Sequence, residues 1–164
     1  MKSKKVLFIA QSAMIAAIYV VLTLVFAPFS YGSVQVRVSE ALTILPFFTP
    51  AAIPGLFIGC LISNIMGGSI LLDVACGSLA TLVAAVLSYQ LRNHKYLVAI
   101  PPILVNALIV PFILYYGYHV NLPIPLMMLT VGIGQVISCG LIGTVLLKIL
   151  ERYKKPIFNL NQLG

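Results

Sequence analysis

The stretch Val6-Leu-Phe-Ile-Ala-Gln-Ser-Ala-Met-Ile-Ala-Ala-Ile-Tyr-Val-Val-Leu-Thr-Leu-Val-Phe-Ala27 decides the fold class. It carries no charge, and Pro28 ends it. As a helix rising about 1.5 Å per residue, it crosses the roughly 30 Å hydrocarbon layer of a bilayer. Met1-Lys-Ser-Lys-Lys5 ahead of it gives the look of a secretory signal. The first small-x-small pattern, Ala10-Gln-Ser12, closes a run of only five apolar residues, Val6 to Ala10, too few for a signal core. The segment reads as a retained first helix.

Composition extends this reading to the whole chain of 164 residues, 61% hydrophobic and 8% charged. A water-soluble domain is about half apolar and a quarter charged, so lipid is the solvent this sequence suits. Polar breaks divide the chain into six segments: residues 6–27, 40–48, 51–66, 70–91, 96–116 and 125–150. The expectation is an all-α membrane protein, one bundle of about six transmembrane helices forming a single unit over residues 1–164. The second and third segments are too short for full spans, and Pro46, Pro50 and Pro54 allow bends there. Irregular backbone at membrane depth survives only where protein buries it or a cavity adjoins it. This region is therefore a candidate cavity wall.

The formal charge of +7 reports topology, not nucleic acid. With the N-terminus inside, Lys2, Lys4, Lys5, Arg92, Lys95, Lys148, Arg152, Lys154 and Lys155 all fall on the cytoplasmic side. Arg37 alone falls outside. Both termini are thus expected in the cytoplasm of a multi-pass cell-membrane protein. Cys60, Cys76 and Cys139 lie in apolar runs without a C-x-x-C pattern and read as small buried residues. No metal or cofactor is expected.

The remaining ionisable groups gather toward the outer half. Glu40 and Asp73 are two of only three acids, and acids inside a membrane region mark a site or a paired structural charge. Arg37 and Glu40, three apart, can simply pair at the start of the second segment, with Ser39 as its cap. Asp73 can compensate a helix dipole. Asn64, Asn106 and Gln135 add amides whose burial demands partners, either neighbouring helices or a ligand. Ser138 and Cys139 share a face with Gln135. Tyr115 and Tyr116 close the fifth segment, as interface anchors or ring contacts. Tyr31 can cover a cavity from the first outer loop. Acids, amides and aromatics with one Arg suit a flat small molecule rich in hydrogen-bonding edges.

In the first segment Ala10, Ala13 and Ala17, and the pair Ser12 and Ala16, form rows of small residues. Such rows allow close helix approach, within the bundle or to a second membrane protein. The chain has no G-x-x-x-x-G-K-[ST] stretch for ATP and no H-E-x-x-H, and His94 and Asp73 fall on opposite sides. Catalysis is not expected, and transport would draw on an ion gradient or an energising partner.

The run Val34-Gln-Val-Arg37-Val-Ser39-Glu40-Ala-Leu-Thr-Ile-Leu-Pro46-Phe-Phe-Thr-Pro50-Ala-Ala-Ile-Pro54-Gly55 resembles the QueT-type queuosine-precursor transporters. So do Gly59-Cys-Leu-Ile-Ser-Asn64-Ile-Met-Gly67-Gly68, Leu72-Asp73 and Gly77-Ser-Leu-Ala-Thr81. Cys76 departs from the bulkier residue usual before Gly77. The resemblance implies a substrate-binding S component of an energy-coupling factor transporter. Such a subunit captures a nutrient at the outer surface and docks on a transmembrane scaffold driven by two ATPases. Ala13 and Ala17, with Ala10, would contact the scaffold. The substrate would be a 7-deazaguanine: queuine, preQ0 or preQ1. On this reading Glu40 reads the guanine-like N–H edge with Arg37 holding it ionised, and Asn64, Asn106, Tyr116 and Gln135 complete the pocket. Asp73 would meet a cationic aminomethyl group or serve structure. The alternatives are an S component for another vitamin or purine, a ligand-free channel or structural subunit, and a membrane-embedded enzyme.

Overall fold

A computed structural model describes residues 2–30 and 37–153, so Tyr31, Lys154 and Lys155 lie outside the described residues. It contains six principal helices and, among those residues, no strand. These are α1 (Lys2–Val25), α2 (Val38–Phe47), α3 (Ala52–Met66), α4 (Asp73–Gln90), α5 (Leu97–Tyr116) and α6 (Ile124–Arg152). A short turn, Ala27–Ser30, follows α1.

Four of the helices, α1, α4, α5 and α6, are long and apolar enough to cross a membrane. Their outer faces confirm which solvent they expect. Val6, Ile9, Leu79 and Leu141 are all well exposed, which lipid tolerates and water penalises.

The two short helices are explained by where they sit. α2 has 10 residues wound as a 3₁₀ helix around Pro46. At roughly 2.0 Å per residue it is about 20 Å long, less than a bilayer core. Ser39 through Pro46 are all buried, so this irregular backbone is shielded from lipid by the other helices. Leu42, Ile44 and Leu45 of α2 meet Ile15 and Tyr19 of α1, Leu56 and Cys60 of α3, Ala85 of α4 and Leu147 of α6 in one core.

The small-residue rows of α1 divide between its two sides. Ser12 and Ala16 are buried against α3, where Gly55 and Gly59 form a G-x-x-x-G row. A Cβ on Gly59 would fall 2.8 Å from Tyr19 Cβ, and one on Gly55 would fall 2.8 Å from the Ser12 carbonyl oxygen. Only glycine permits that approach, which packs two backbones tightly where dispersion is the main attraction. The Ser12 hydroxyl also donates to the Ala51 carbonyl at 2.8 Å. Ala10, Ala13 and Ala17 point outward.

α3 ends where Gly68 turns to φ +74°, and the Ser69 N–H closes back on the Asn64 carbonyl at 2.9 Å. That left-handed glycine stops the helix and redirects the chain into α4. At the opposite end of the bundle, Lys95 bonds Glu151, so the turn between α4 and α5 shares an end with the last turn of α6. The hydrogen bond holds the Lys95 ammonium above its ordinary pKa.

Candidate functional site: a buried polar hollow

Four parts of the chain bring their polar side chains to one place. Arg37 stands just before α2, Glu40 lies in its first turn, and Asp73, Gly77 and Thr81 descend α4. Asn106 comes from α5 and Gln135 from α6. All seven line a single hollow, with Val110 as its apolar wall. Arg37, Glu40, Asp73, Asn106 and Gln135 are each buried. The hollow is about 10 Å³, room for about one water.

Both helices that supply site residues from widened turns do so at that widening. Asp73–Gly77 and Val136–Ile142 are wound as π-helix, the first beginning at Asp73 and the second immediately after Gln135. Wider turns shift the side-chain phase and are frequent at functional sites.

Glu40 is held both through its carboxylate and through its carbonyl. The Tyr19 hydroxyl donates to Oε1 at 2.5 Å, and the Asn106 amide donates to Oε2 at 3.4 Å. The Thr43 hydroxyl donates to the Glu40 carbonyl at 2.6 Å and fixes the turn beneath it. Asp73 Oδ2 lies 3.7 Å from the Arg37 guanidinium and accepts from the Tyr118 hydroxyl at 2.9 Å. Gln135 Oε1 accepts from the Cys139 thiol at 3.2 Å, on the shared face expected from their spacing. Tyr19 and Tyr118 are hydrogen-bonding neighbours of the hollow that sequence reasoning missed. One is hidden in an apolar span, and the other sits in a loop whose fold the sequence does not specify.

Several contacts differ in detail from those the spacing suggests. The ion pair seen for Arg37 runs to Asp73, across to α4, and the direct holders of the Glu40 carboxylate are Tyr19 and Asn106. Ser39 does not cap α2; its hydroxyl accepts from Thr23 at 2.7 Å. Asn64 is fully buried but lies behind the hollow, reaching the Asp73 carbonyl at 3.4 Å and the Cys60 sulfur at 3.6 Å. Tyr116 is outside the cluster altogether. It is 63% exposed, stacks edge-to-face on Tyr115, and borders an outer groove with Leu72, Cys76 and Phe112. Cys60 and Cys139 are buried and Cys76 is half-buried, and all three are free thiols.

A much larger groove, about 660 Å³, runs along α1, α2 and α6. Leu7, Ala10, Met14, Leu42 and Leu146 line it, and it offers almost no hydrogen-bonding groups. Recognition of a polar solute needs placed donors and acceptors, so chemistry favours the small hollow over the large groove.

Set against known families, residues 9–152 match the one described as QueT transporter. The chain belongs to the QueT transporter family. It is a multi-pass protein of the cell membrane. Among curated proteins it is similar to the "Queuosine precursor transporter QueT" of Lactococcus lactis subsp. cremoris (strain MG1363), with 42% identity over 85 residues. That stretch is 51% of this chain and spans about half, 50%, of the relative's length. No solved structure gives a significant match. In this member of the QueT family, the polar hollow draws on residues spread from Arg37 to Gln135, well inside the matched range.

Proposed function

We propose that this chain is the substrate-capturing S component of an energy-coupling factor transporter and that it binds a 7-deazaguanine for uptake. The observation that carries this reading is the convergence of Arg37, Glu40, Asp73, Asn106 and Gln135 on one buried hollow in a QueT-family chain. A deazaguanine presents a row of N–H donors and a carbonyl acceptor along one edge. Glu40 is the acceptor for that donor row, while Asn106 and Gln135 supply amides for the remaining edge atoms. Charge-assisted bonds of this kind are the strong ones in a dry site.

The ligand-free hollow accepts about one water, so a bicyclic ring enters only as these side chains part. Hydrogen bonds now made among the side chains are then exchanged for bonds to the ligand. Such an exchange trades one set of hydrogen bonds for another at small net cost. The whole chain acts as one unit, with both termini in the cytoplasm and the hollow toward the outer surface. The outward row Ala10, Ala13 and Ala17 is the docking face for a transmembrane scaffold, whose two ATPase subunits provide the energy.

Mass spectrometry of small molecules released from the purified, denatured protein tests this reading. A 7-deazaguanine in the released fraction is the expected result. A ligand-free protein that neither takes up nor retains any deazaguanine on incubation would rule it out.

A further inference from the structure

Gln135 reaches the hollow from α6 with its amide held at one end. Its Oε1 accepts from the Cys139 thiol at 3.2 Å, and no described residue bonds its amide nitrogen. The side chain is buried on the wall of the hollow, so its N–H donors are left for whatever enters. An amide can turn over, and the turned form would offer the carbonyl oxygen instead. What the sulfur does decides between the two.

Cys139 has a single proton to give. Its sulfur lies 3.2 Å from Gln135 Oε1 and 3.4 Å from the Glu40 carbonyl oxygen. The Glu40 carbonyl already accepts from the Thr43 hydroxyl at 2.6 Å. The thiol proton therefore goes to Gln135, the nearer acceptor and the one not otherwise served. Thr43 Oγ1 also stands 3.5 Å from the sulfur, so Cys139 joins α2 to α6 beside two residues of the wall. It is fully buried in the widened turn Val136–Ile142, which begins just past Gln135. Alanine is small enough to pack there too, but it has no proton to give.

Resting on the functional reading above, we infer that Cys139 is a positioning residue for capture. It locks the Gln135 amide with its N–H pair toward the hollow, and so makes this part of the wall select an acceptor. Glu40 supplies the acceptor of the site and Gln135, so fixed, supplies a donor. A ligand whose facing atom accepts poorly loses that contact.

The test titrates the full-length protein in lipid nanodiscs, by calorimetry, with 7-deazaguanine and its 6-thio analogue. The analogue keeps the N–H row and replaces the carbonyl oxygen by sulfur, a poorer acceptor. The unaltered protein is expected to favour the carbonyl compound. Cys139→Ala is expected to weaken 7-deazaguanine about three- to tenfold and to bring the ratio of the two affinities toward one. Cys139→Ser keeps a donor and is expected to restore both. A merely structural role would weaken both ligands alike and leave their ratio unchanged, which would overturn the inference. So would equal affinities in the unaltered protein, or unchanged binding in Cys139→Ala; deazaguanine capture would stand in each case. Should Cys139→Ala fail to fold, the infrared S–H stretch decides, isolated by subtracting the Cys139→Ser spectrum. It is expected below the free-thiol position and to rise in Gln135→Leu, and a band that stays in place would overturn the inference. Binding of neither compound to the unaltered protein would remove the functional reading and this inference with it.

Discussion

The Tyr19 hydroxyl and the Glu40 carboxylate are joined by a fully buried hydrogen bond of 2.5 Å between α1 and α2. Tyr19 also packs its Cβ against Gly59 of α3, so the bond is braced by a close helix crossing. The two residues lie 21 apart in sequence, yet one fixes the rotamer of the other. Glu40 therefore enters the hollow preorganised.

Removing the phenol isolates that effect. Tyr19→Phe keeps the ring in the core and deletes only the donor. It is expected to cost about 1–3 kcal/mol of stability, because a buried acceptor loses its partner. Deazaguanine affinity should fall about tenfold as Glu40 loses its fixed position. Thermal unfolding and ligand titration of the same preparation measure both.

The α1–α3 crossing should be far less tolerant than the α5–α6 contact. Gly59→Val would drive a branched side chain into Tyr19 and Ala16, where even a Cβ lies 2.8 and 3.1 Å away. Overpacking of this kind costs about 1–3 kcal/mol or more. At Gly132 a Cβ would sit 3.7 Å from Ala107, ordinary contact. Gly132→Ala should be neutral or stabilising by up to about 1 kcal/mol, through helix propensity. Melting temperatures of the two variants in one detergent compare them directly.

Gly77 is expected to matter for binding more than for folding. Gly77→Ala places a methyl group 2.9 Å from Asp73 Oδ1 and 3.4 Å from the Asn64 amide nitrogen, at the wall of the hollow. Helix propensity favours the alanine by up to about 1 kcal/mol, which offsets part of the crowding. Ligand affinity should drop at least about tenfold while the unfolding temperature moves little. Titration and thermal unfolding together separate the two effects.

Much of the architecture was legible, and the reasons are particular. Pro28, Gly67-Gly68, the basic turn from Arg92 to Lys95, and Pro123 interrupt apolar runs. Each observed helix accordingly begins and ends within a few residues of the expected place. The shortness of the second segment betrayed α2 as a buried, irregular element, though nothing in its composition distinguishes a 3₁₀ winding. Arg37, Glu40, Asp73, Asn106 and Gln135 could be singled out because a polar group in an apolar run needs a reason. What the sequence withholds is rotational phase. A helix that is apolar all round does not reveal which face turns inward. Tyr116 and Asn64 therefore looked equivalent to Asn106, yet one faces outward and the other lies behind the hollow. The same ambiguity concealed Tyr19. It left the two small-residue rows of α1 unresolved until Gly55 and Gly59 showed which is internal.

Tyr118 ties the loop between α5 and α6 to the site through Asp73. Burial first, and the neighbouring carboxylate with it, push the Tyr118 hydroxyl above the ordinary value of 10.0. A raised value means the fold favours the protonated phenol, which is the form that donates. Its stabilisation is whole below the ordinary tyrosine value and disappears as pH climbs through the higher folded-state value. The stability gap between the unaltered protein and Tyr118→Phe should therefore stay constant through neutral pH and narrow only in strong alkali. Chemical denaturation across that range would follow it.

The most direct test of the central claim is equilibrium titration of Glu40→Gln with a deazaguanine, alongside the unaltered protein. The amide keeps the size of the side chain but surrenders the charged acceptor at the heart of the hollow. Affinity at least about tenfold weaker in the variant, with its helical content intact, is the predicted result. Identical affinity in both proteins would mean that the ring edge is read elsewhere, and the hollow would lose its assigned role.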